Sequence, residues 1–333
     1  MNSEVQFDNS EHGEFRFTTR MELRDSPDPN WLVDQWLPEG SFACMYAPPE
    51  TGKSFIAIDM GLCIQNGIPW HGRKVLGGQV ILMTQEGQRS LNRRITAWET
   101  RHQLEPCCNS VLHGLEPLNL LRSNNCDKLL SKIEQIGEPR LIIFDTLSKY
   151  MVGANENESA DMGKVIANLD MIRRKTQATI LVIHHTVKNG SSLRGSSTLP
   201  AACDVMFKLC KRNKYHTLVV DKQRDAAPTS PIHFEMKEYG NSLVPVSTER
   251  QAIPNLSDGP WNMLIQIGDA DNENGLTNKE LRAVCKLSGR QITRNRNELV
   301  GKQLIVNVST GRTQRWVLTK EGVAFLNATK DES

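Results

Sequence analysis

Apolar and polar positions fall into blocks along the chain, and the blocks predict an α/β protein. A short apolar strand at Phe42–Tyr46 leads into the loop Ala47–Ser54 and then a helix over Phe55–Gln65, where Phe55, Ile58, Leu62 and Cys63 recur at helical spacing. Val80–Thr84, Leu141–Asp145 and Thr179–His184 read as buried strands, separated by helices over Ser90–Gln103, Asp127–Ile136 and Met162–Lys175. Continuous apolar strands that alternate with helices imply a parallel sheet covered by helices on both faces. Two further strands, Val205–Leu209 and Thr217–Asp221, precede a hairpin over Ile232–Val246 that turns at Tyr239-Gly240-Asn241. Residues 1–30 show no periodicity and read as a flexible arm; residues 31–250 form the α/β domain. From 251 a polar, proline-bearing linker opens a second domain that runs to 333.

That second domain has its own pattern. Trp261–Ile267 is a first helix. A second begins at Thr277 with Glu280 three residues on, the spacing of a capping box. Arg290–Lys302 is a third helix. Leu304–Val308 and Gln314–Leu318 form a hairpin, and Lys320–Leu326 closes the unit.

Composition adds a few exclusions. Apolar residues make up 38% of the 333 positions, enough for a sizeable core. No apolar run approaches the roughly 20 residues of a membrane span. The start, MNSEVQFDNSEHGEF, lacks the basic and apolar stretches of a secretory signal, so a cytoplasmic protein is expected. The eight cysteines include no CxxC and fit no zinc spacing, so they are expected to be reduced and buried.

Net charge is only +2, but its distribution is uneven. Residues 1–30 carry seven acids against three arginines. Lys279–Lys320 carries ten bases against Glu280 and Glu298. A stretch this basic suggests a polyanion-facing surface.

The sharpest chemical signal is Ala47-Pro48-Pro49-Glu50-Thr51-Gly52-Lys53-Ser54, set between a strand and the helix from Phe55. This is the context of a phosphate-binding loop, whose backbone amides wrap a β-phosphate at a helix N-terminus. Lys53 is expected to neutralise β- and γ-oxygens, and the Ser54 hydroxyl to bind Mg²⁺. The pattern opens with Ala47 where glycine is usual, which removes backbone freedom but no amide. Three strand ends supply the rest. Asp145 follows Leu141–Phe144 and is placed to hold Mg²⁺ through water; Glu86 follows Val80–Thr84 and is placed to activate the attacking water. His184-His185 ends Ile180–Ile183, where a histidine either senses the γ-phosphate or is an ordinary core-edge residue.

Taken in order, the segments Trp31–Gly40, APPETGKS, TQEG, IIFDTLSKY, ILVIHHT and LRGSSTL resemble those of RecA-like ATPases. Within that group they are most similar to the RepA-type hexameric replicative helicases and their mobile-element relatives. The resemblance covers about two-thirds of the chain. It implies a RecA-like fold, ATP and Mg²⁺ as ligands, Glu86 as catalytic carboxylate, Asp145 as the Mg²⁺-associated residue and His184 as γ-phosphate sensor. Val219–Asp225, VVDKQRD, is similar to the Lys-x-Arg segment that DnaB-type ring helicases extend into the neighbouring subunit, which makes Lys222 and Arg224 candidates for that role. In a closed head-to-tail ring such a cation stabilises charge on the transferring phosphate. The Gly/Ser-rich loop Thr186–Leu199 carries Lys188 and Arg194 and is expected to face the ring channel, gripping single-stranded DNA through its backbone.

The C-terminal domain resembles a winged helix-turn-helix. Arg290, Thr293, Arg294 and Asn297 share one face of its third helix, with Leu299 and Val300 expected toward the core; Arg312 and Arg315 lie on the wing. In that fold the third helix enters the major groove and the wing meets the backbone. The expected protein is an ATP-driven DNA motor that works as a homo-oligomeric, hexameric ring with no membrane partner. The competing class is a regulatory or helicase-loading ATPase that binds DNA without unwinding it; a small-molecule kinase is disfavoured, because nothing resembles an acceptor lid.

Overall fold

The computed structural model describes residues 19–24, 30–84, 88–105, 112–114, 118–187, 193–212, 214–224, 226–227, 229–248, 256, 258–270, 275–309, 313–323 and 326. Its contacts divide the chain into two compact units, Met1–Thr248 and Glu249–Ser333. Among the described residues no helix is long and apolar enough to cross a membrane.

The first described element of this unit is a five-residue helix, α1 (Arg20–Arg24), inside the stretch expected to be wholly irregular. A small hairpin follows, β1 (Trp31–Val33) and β2 (Leu37–Pro38). The main sheet then builds from β3 (Phe42–Ala47), α2 (Lys53–Asn66), β4 (Val80–Thr84), α3 (Gln88–His102), β5 (Leu112–Gly114), α4 (Ser123–Ile136), β6 (Leu141–Asp145), α5 (Ser159–Thr176) and β7 (Thr179–His185). A short helix α6 (Thr198–Ala202) leads to β8 (Val205–Arg212), β9 (Tyr215–Gln223), β10 (Ile232–Tyr239) and β11 (Ser242–Ser247).

Strands β8, β3, β7, β6, β4 and β5 lie side by side and parallel, as the alternation of apolar strands and helices predicts. The sequence alone suggested a parallel sheet and a hairpin. The structure joins them: β8 to β11 run antiparallel and extend the same sheet to nine strands among the described residues.

Period-2 alternation sends successive residues of each parallel strand to opposite faces. Ala43, Met45, Leu181, Ile183, Ile143 and Leu82 face α2 and α3. Phe42, Cys44, Tyr46, Val182, Phe144 and Met83 face α4 and α5, whose buried stripes include Leu130, Ile133, Val165, Leu169 and Ile172. Each fully buried large side chain contributes about 1.5–3 kcal/mol, so both faces hold the phosphate-loop strand firmly.

One polar knot is embedded in this core. Asp59 of α2 is 1% exposed and accepts hydrogen bonds from the indole N–H groups of Trp70 (2.8 Å) and Trp98 (2.9 Å), while His71 Nε2 lies 2.8 Å from it. The carboxylate therefore ties α2 to α3 and to the turn between them, behind the loop that α2 begins with.

The second unit contains α7 (Asp258–Asp269), β12 (Leu276–Thr277), α8 (Asn278–Cys285), α9 (Gly289–Gly301), β13 (Ile305–Asn307) and β14 (Arg315–Leu318). Its three strands run in the order β12-β14-β13. Residues 320–323 and 326 are helical. Thr277 caps α8 with a complete capping box, as its spacing predicts, and Ser288 with Gln291 does the same for α9. The core gathers Met263, Leu264, Ile267, Leu281, Ile292, Leu299, Leu304 and Trp316. Val300, expected toward this core, is instead 41% exposed. The buried stripe of α9 runs through Ile292, Asn295 and Leu299, and Val300 lies about 100° around the helix from Leu299.

Candidate nucleotide-binding site

Strand β3 delivers the chain to the C-terminal edge of the parallel strands, where α/β sheets bind their ligands. Ala47 is the last residue of that extended strand, which explains why a glycine is dispensable there. Pro48, Pro49 and Glu50 are exposed, and Thr51 closes the loop by donating its hydroxyl to Pro48 O at 2.7 Å. Gly52 has φ +89°, and a Cβ on it would lie 2.9 Å from Met236 Cε and 3.6 Å from the His216 ring. The left-handed backbone is what favours glycine here; the close approach is only to the flexible end of Met236.

From Gly52 the chain turns directly into α2. No side chain caps this helix and no acid lies in its first turn, so the amides at its N-terminus keep their affinity for an anion. Lys53 is buried and its ammonium donates to Ala47 O (3.0 Å) and Pro48 O (2.7 Å), which holds the charge against the loop. Ser54 and Phe55 follow in the first turn, both half-buried.

The neighbouring strands bring the other expected groups to the same edge. Tyr46 pairs with His184 and Ala47 with His185, while Asp145, buried, pairs with Thr84 across β6 and β4. His184 is fully buried, and neither ring nitrogen has a hydrogen-bond partner among the described residues. Burial, reinforced by the charges of His185, Arg194 and Lys53, pushes its pKa down to about 4, so the imidazole is neutral at pH 7. A neutral ring with one donor and one acceptor unspent, within the field of Lys53, suits a polar ligand at the loop. Glu86, with Gln85 and Gly87, lies outside the described residues.

A residue not singled out from sequence joins this group. The Arg94 guanidinium of α3 lies 4.4 Å from the centroid of the Phe55 ring; burial weakens its hold on its proton while Asp145 strengthens it. Arg94 falls three residues after buried Leu91 and four before buried Trp98. It is thus a cation on an apolar stripe, an irregularity that a strict reading of the helical pattern would have flagged.

Oxygen donors from a hydroxyl and a carboxylate, such as Ser54 and Asp145, are the set that a hard cation like Mg²⁺ prefers. Among the described residues no cluster of three or more His, Cys, Asp or Glu side chains could hold a metal ion.

The remaining candidates are placed as follows. Lys222 Nζ donates to Pro200 O (2.8 Å) and Cys203 O (2.6 Å) at the end of α6. Arg224 is 49% exposed; its guanidinium pairs with Asp204 Oδ1 at 2.8 Å and donates to Ala201 O at 2.7 Å. Arg194 pairs with Glu156 at 3.3 Å. In the second unit Arg290, Thr293, Arg294 and Asn297 are all exposed on one face of α9. Arg315 is half-buried and donates to Gly275 O, so it serves the fold of its own unit. Lys188 and Arg312 lie outside the described residues.

A family model described as AAA domain matches residues 12–191, more than half of the chain. Among solved structures, the crystal structure of the RadB recombinase is similar over 62% of this chain and 91% of its own, at 19% identity and a TM-score of 0.45. A KaiC-like protein, PH0186, from the hyperthermophilic archaeon Pyrococcus horikoshii OT3 is similar over 66% and 96%, at 15% identity and a TM-score of 0.44. No curated protein matches the chain.

Proposed function

Because the chain belongs to the AAA domain family, and is thus a P-loop ATPase, we propose that it is an ATP-driven DNA motor, a RepA-like replicative helicase that works as a hexameric ring. The observation that carries the nucleotide part is the convergence of the uncapped start of α2, buried Lys53 and the unpartnered, buried His184 at one sheet edge.

In this reading the loop amides and Lys53 bind the β- and γ-phosphates. Ser54 and Asp145 would hold Mg²⁺, which supplies Lewis-acid stabilisation of phosphate charge. Glu86 takes the proton of the attacking water. Arg94 adds a positive charge from the same chain, and His184 hydrogen-bonds the γ-phosphate until it leaves. Of the two trans candidates, Arg224 fits better. Lys222 is committed to buried carbonyls at the end of α6, whereas Arg224 is exposed and can exchange Asp204 for a neighbour's phosphate. Single-stranded DNA would be gripped by Lys188 and Arg194 in the channel loop, and duplex DNA by Arg290, Arg294 and Arg312 of a winged helix.

A second reading, a DNA-bound regulator or helicase loader, is favoured by one feature: the C-terminal unit is compact in its own right and exposes Arg290 and Arg294. Steady-state ATP hydrolysis with and without single-stranded DNA separates the two, with Lys53→Ala as the blank. The motor predicts strong stimulation by single strands that disappears in Arg224→Ala. Slow turnover indifferent to single strands but altered by one duplex would overturn the motor in favour of the regulator.

A further inference from the structure

Strand β9 carries a β-bulge. Met206 of β8 pairs with Lys222 and Phe207 with Val220, which leaves Asp221 as an extra residue between them. Val220 packs with the cluster on the α2 side of the sheet, as do Phe207 and Leu218. A bulge breaks the strict alternation of side chains and re-aims one of them. Here it lets two consecutive residues, Asp221 and Lys222, both make contacts on the other face. Lys222 reaches the α6 carbonyls of Pro200 and Cys203. Asp221 Oδ2 accepts a hydrogen bond from the phenol of Tyr46 at 2.5 Å, reaching across β8 to β3.

Tyr46 is a buried residue immediately before Ala47, the first position of the phosphate loop. Burial, with the Asp221 carboxylate beside it, raises its pKa, so the phenol keeps the proton that makes the bond. Two residues beyond Lys222, immediately after the end of the same strand, stands Arg224. From these positions we infer that Tyr46 is a positioning residue for Arg224. Its bond to the bulged Asp221 fixes the strand that leads into Arg224 to the strand that feeds the phosphate loop. A displacement of one subunit's loop on nucleotide exchange is thereby passed to the cation offered to the next subunit. The inference rests on the reading of Arg224 as the trans cation.

The test uses the full-length protein and single-stranded DNA-stimulated ATP hydrolysis, with nucleotide affinity measured by a fluorescent ATP analogue. Tyr46→Phe keeps the ring in its buried position and removes only the hydroxyl. It is expected to lower kcat roughly tenfold to a hundredfold, the loss expected when a catalytic group is misplaced by about 1 Å, with the analogue's affinity and KM within about twofold of the parent. Asp221→Asn retains an acceptor oxygen and is expected to keep most of the activity, whereas Asp221→Leu should match Tyr46→Phe. Because Tyr46 acts through Arg224, the double variant Tyr46→Phe/Arg224→Ala should be no slower than Arg224→Ala alone.

Three outcomes would overturn the inference. If Tyr46→Phe turns over at the parent rate while Arg224→Ala is inactive, Arg224 is the trans cation but Tyr46 does not position it. If the two losses multiply in the double variant, Tyr46 acts independently of Arg224. If Arg224→Ala itself hydrolyses at the parent rate, the trans reading fails first and nothing remains for Tyr46 to position. A melting temperature for Tyr46→Phe close to the parent's separates a positional loss from unfolding.

Discussion

The phosphate-loop edge of the first unit and the exposed face of α9 in the second use polar residues in opposite ways. At the loop, Lys53, Thr51, Asp145 and His184 are buried, and each is held where it is by strand register or by the fold around Gly52. On α9, Arg290, Thr293, Arg294 and Asn297 stand in solvent, while Ile292, Asn295 and Leu299 on the other side secure the helix. Chemistry and folding therefore share residues at the loop and are separable on the helix. A buried polar group costs free energy unless it is partnered, so at the loop a substitution should disturb both properties. On α9 it should disturb only binding.

The largest effect expected is at Lys53. Replacement by alanine should lower ATP hydrolysis by at least ~10²–10³-fold, read by phosphate release, while affinity for duplex DNA through the second unit stays unchanged. A parallel fall in duplex affinity would break the distinction. Next comes the polar knot behind the loop. Asp59→Ala strands two buried indole N–H groups and should destabilise the first unit by about 2–4 kcal/mol in urea unfolding.

Acid should act on the first unit in the same direction. Burial holds the pKa of His184 and of His216 at about 4, below the ordinary value of about 6.5. Below about pH 6.5 the unfolded chain takes up protons that these folded rings refuse. Their contribution to stability is therefore complete above that pH and is lost progressively as pH falls toward 4. Melting curves between pH 8 and 4.5 should show the decline, and His216→Leu should flatten it.

The second unit predicts smaller changes. Thr277→Ala or Ser288→Ala removes half of a capping box and should cost about 1 kcal/mol each by thermal unfolding. The double variant Arg290→Ala/Arg294→Ala should shift stability by less than about 0.5 kcal/mol. It should also reduce the salt dependence of duplex binding by roughly two phosphate contacts. A large loss of stability in this variant would show that α9, like the loop, uses its exposed basic face for folding.

Much of the first unit was legible because its signals are local. The strands β3, β4, β6 and β7 announce themselves as apolar runs, and a phosphate loop needs its residues consecutive in the chain. Both capping positions in the second unit lie within three residues of their partners, and Thr277 was readable for that reason. The short elements β5, α6 and β12 have too few residues for any period to show. Val300 was misassigned because hydrophobicity alone does not say on which side of the buried stripe a residue falls.

Other features depend on which strands pair and in what register, and no local pattern encodes that. The composition and spacing of the chain determined an α/β sheet, a strand–loop–helix turn at Lys53 and a basic C-terminal unit, because each follows from neighbouring residues under short-range rules. Only the tertiary structure decided that the β9–β11 meander joins the parallel sheet and that Arg94 stands beside Phe55. It also decided that a single unpaired residue in β9 turns Asp221 toward Tyr46. The last two contacts join residues 39 and 175 positions apart, and they exist only after packing has chosen one register among several.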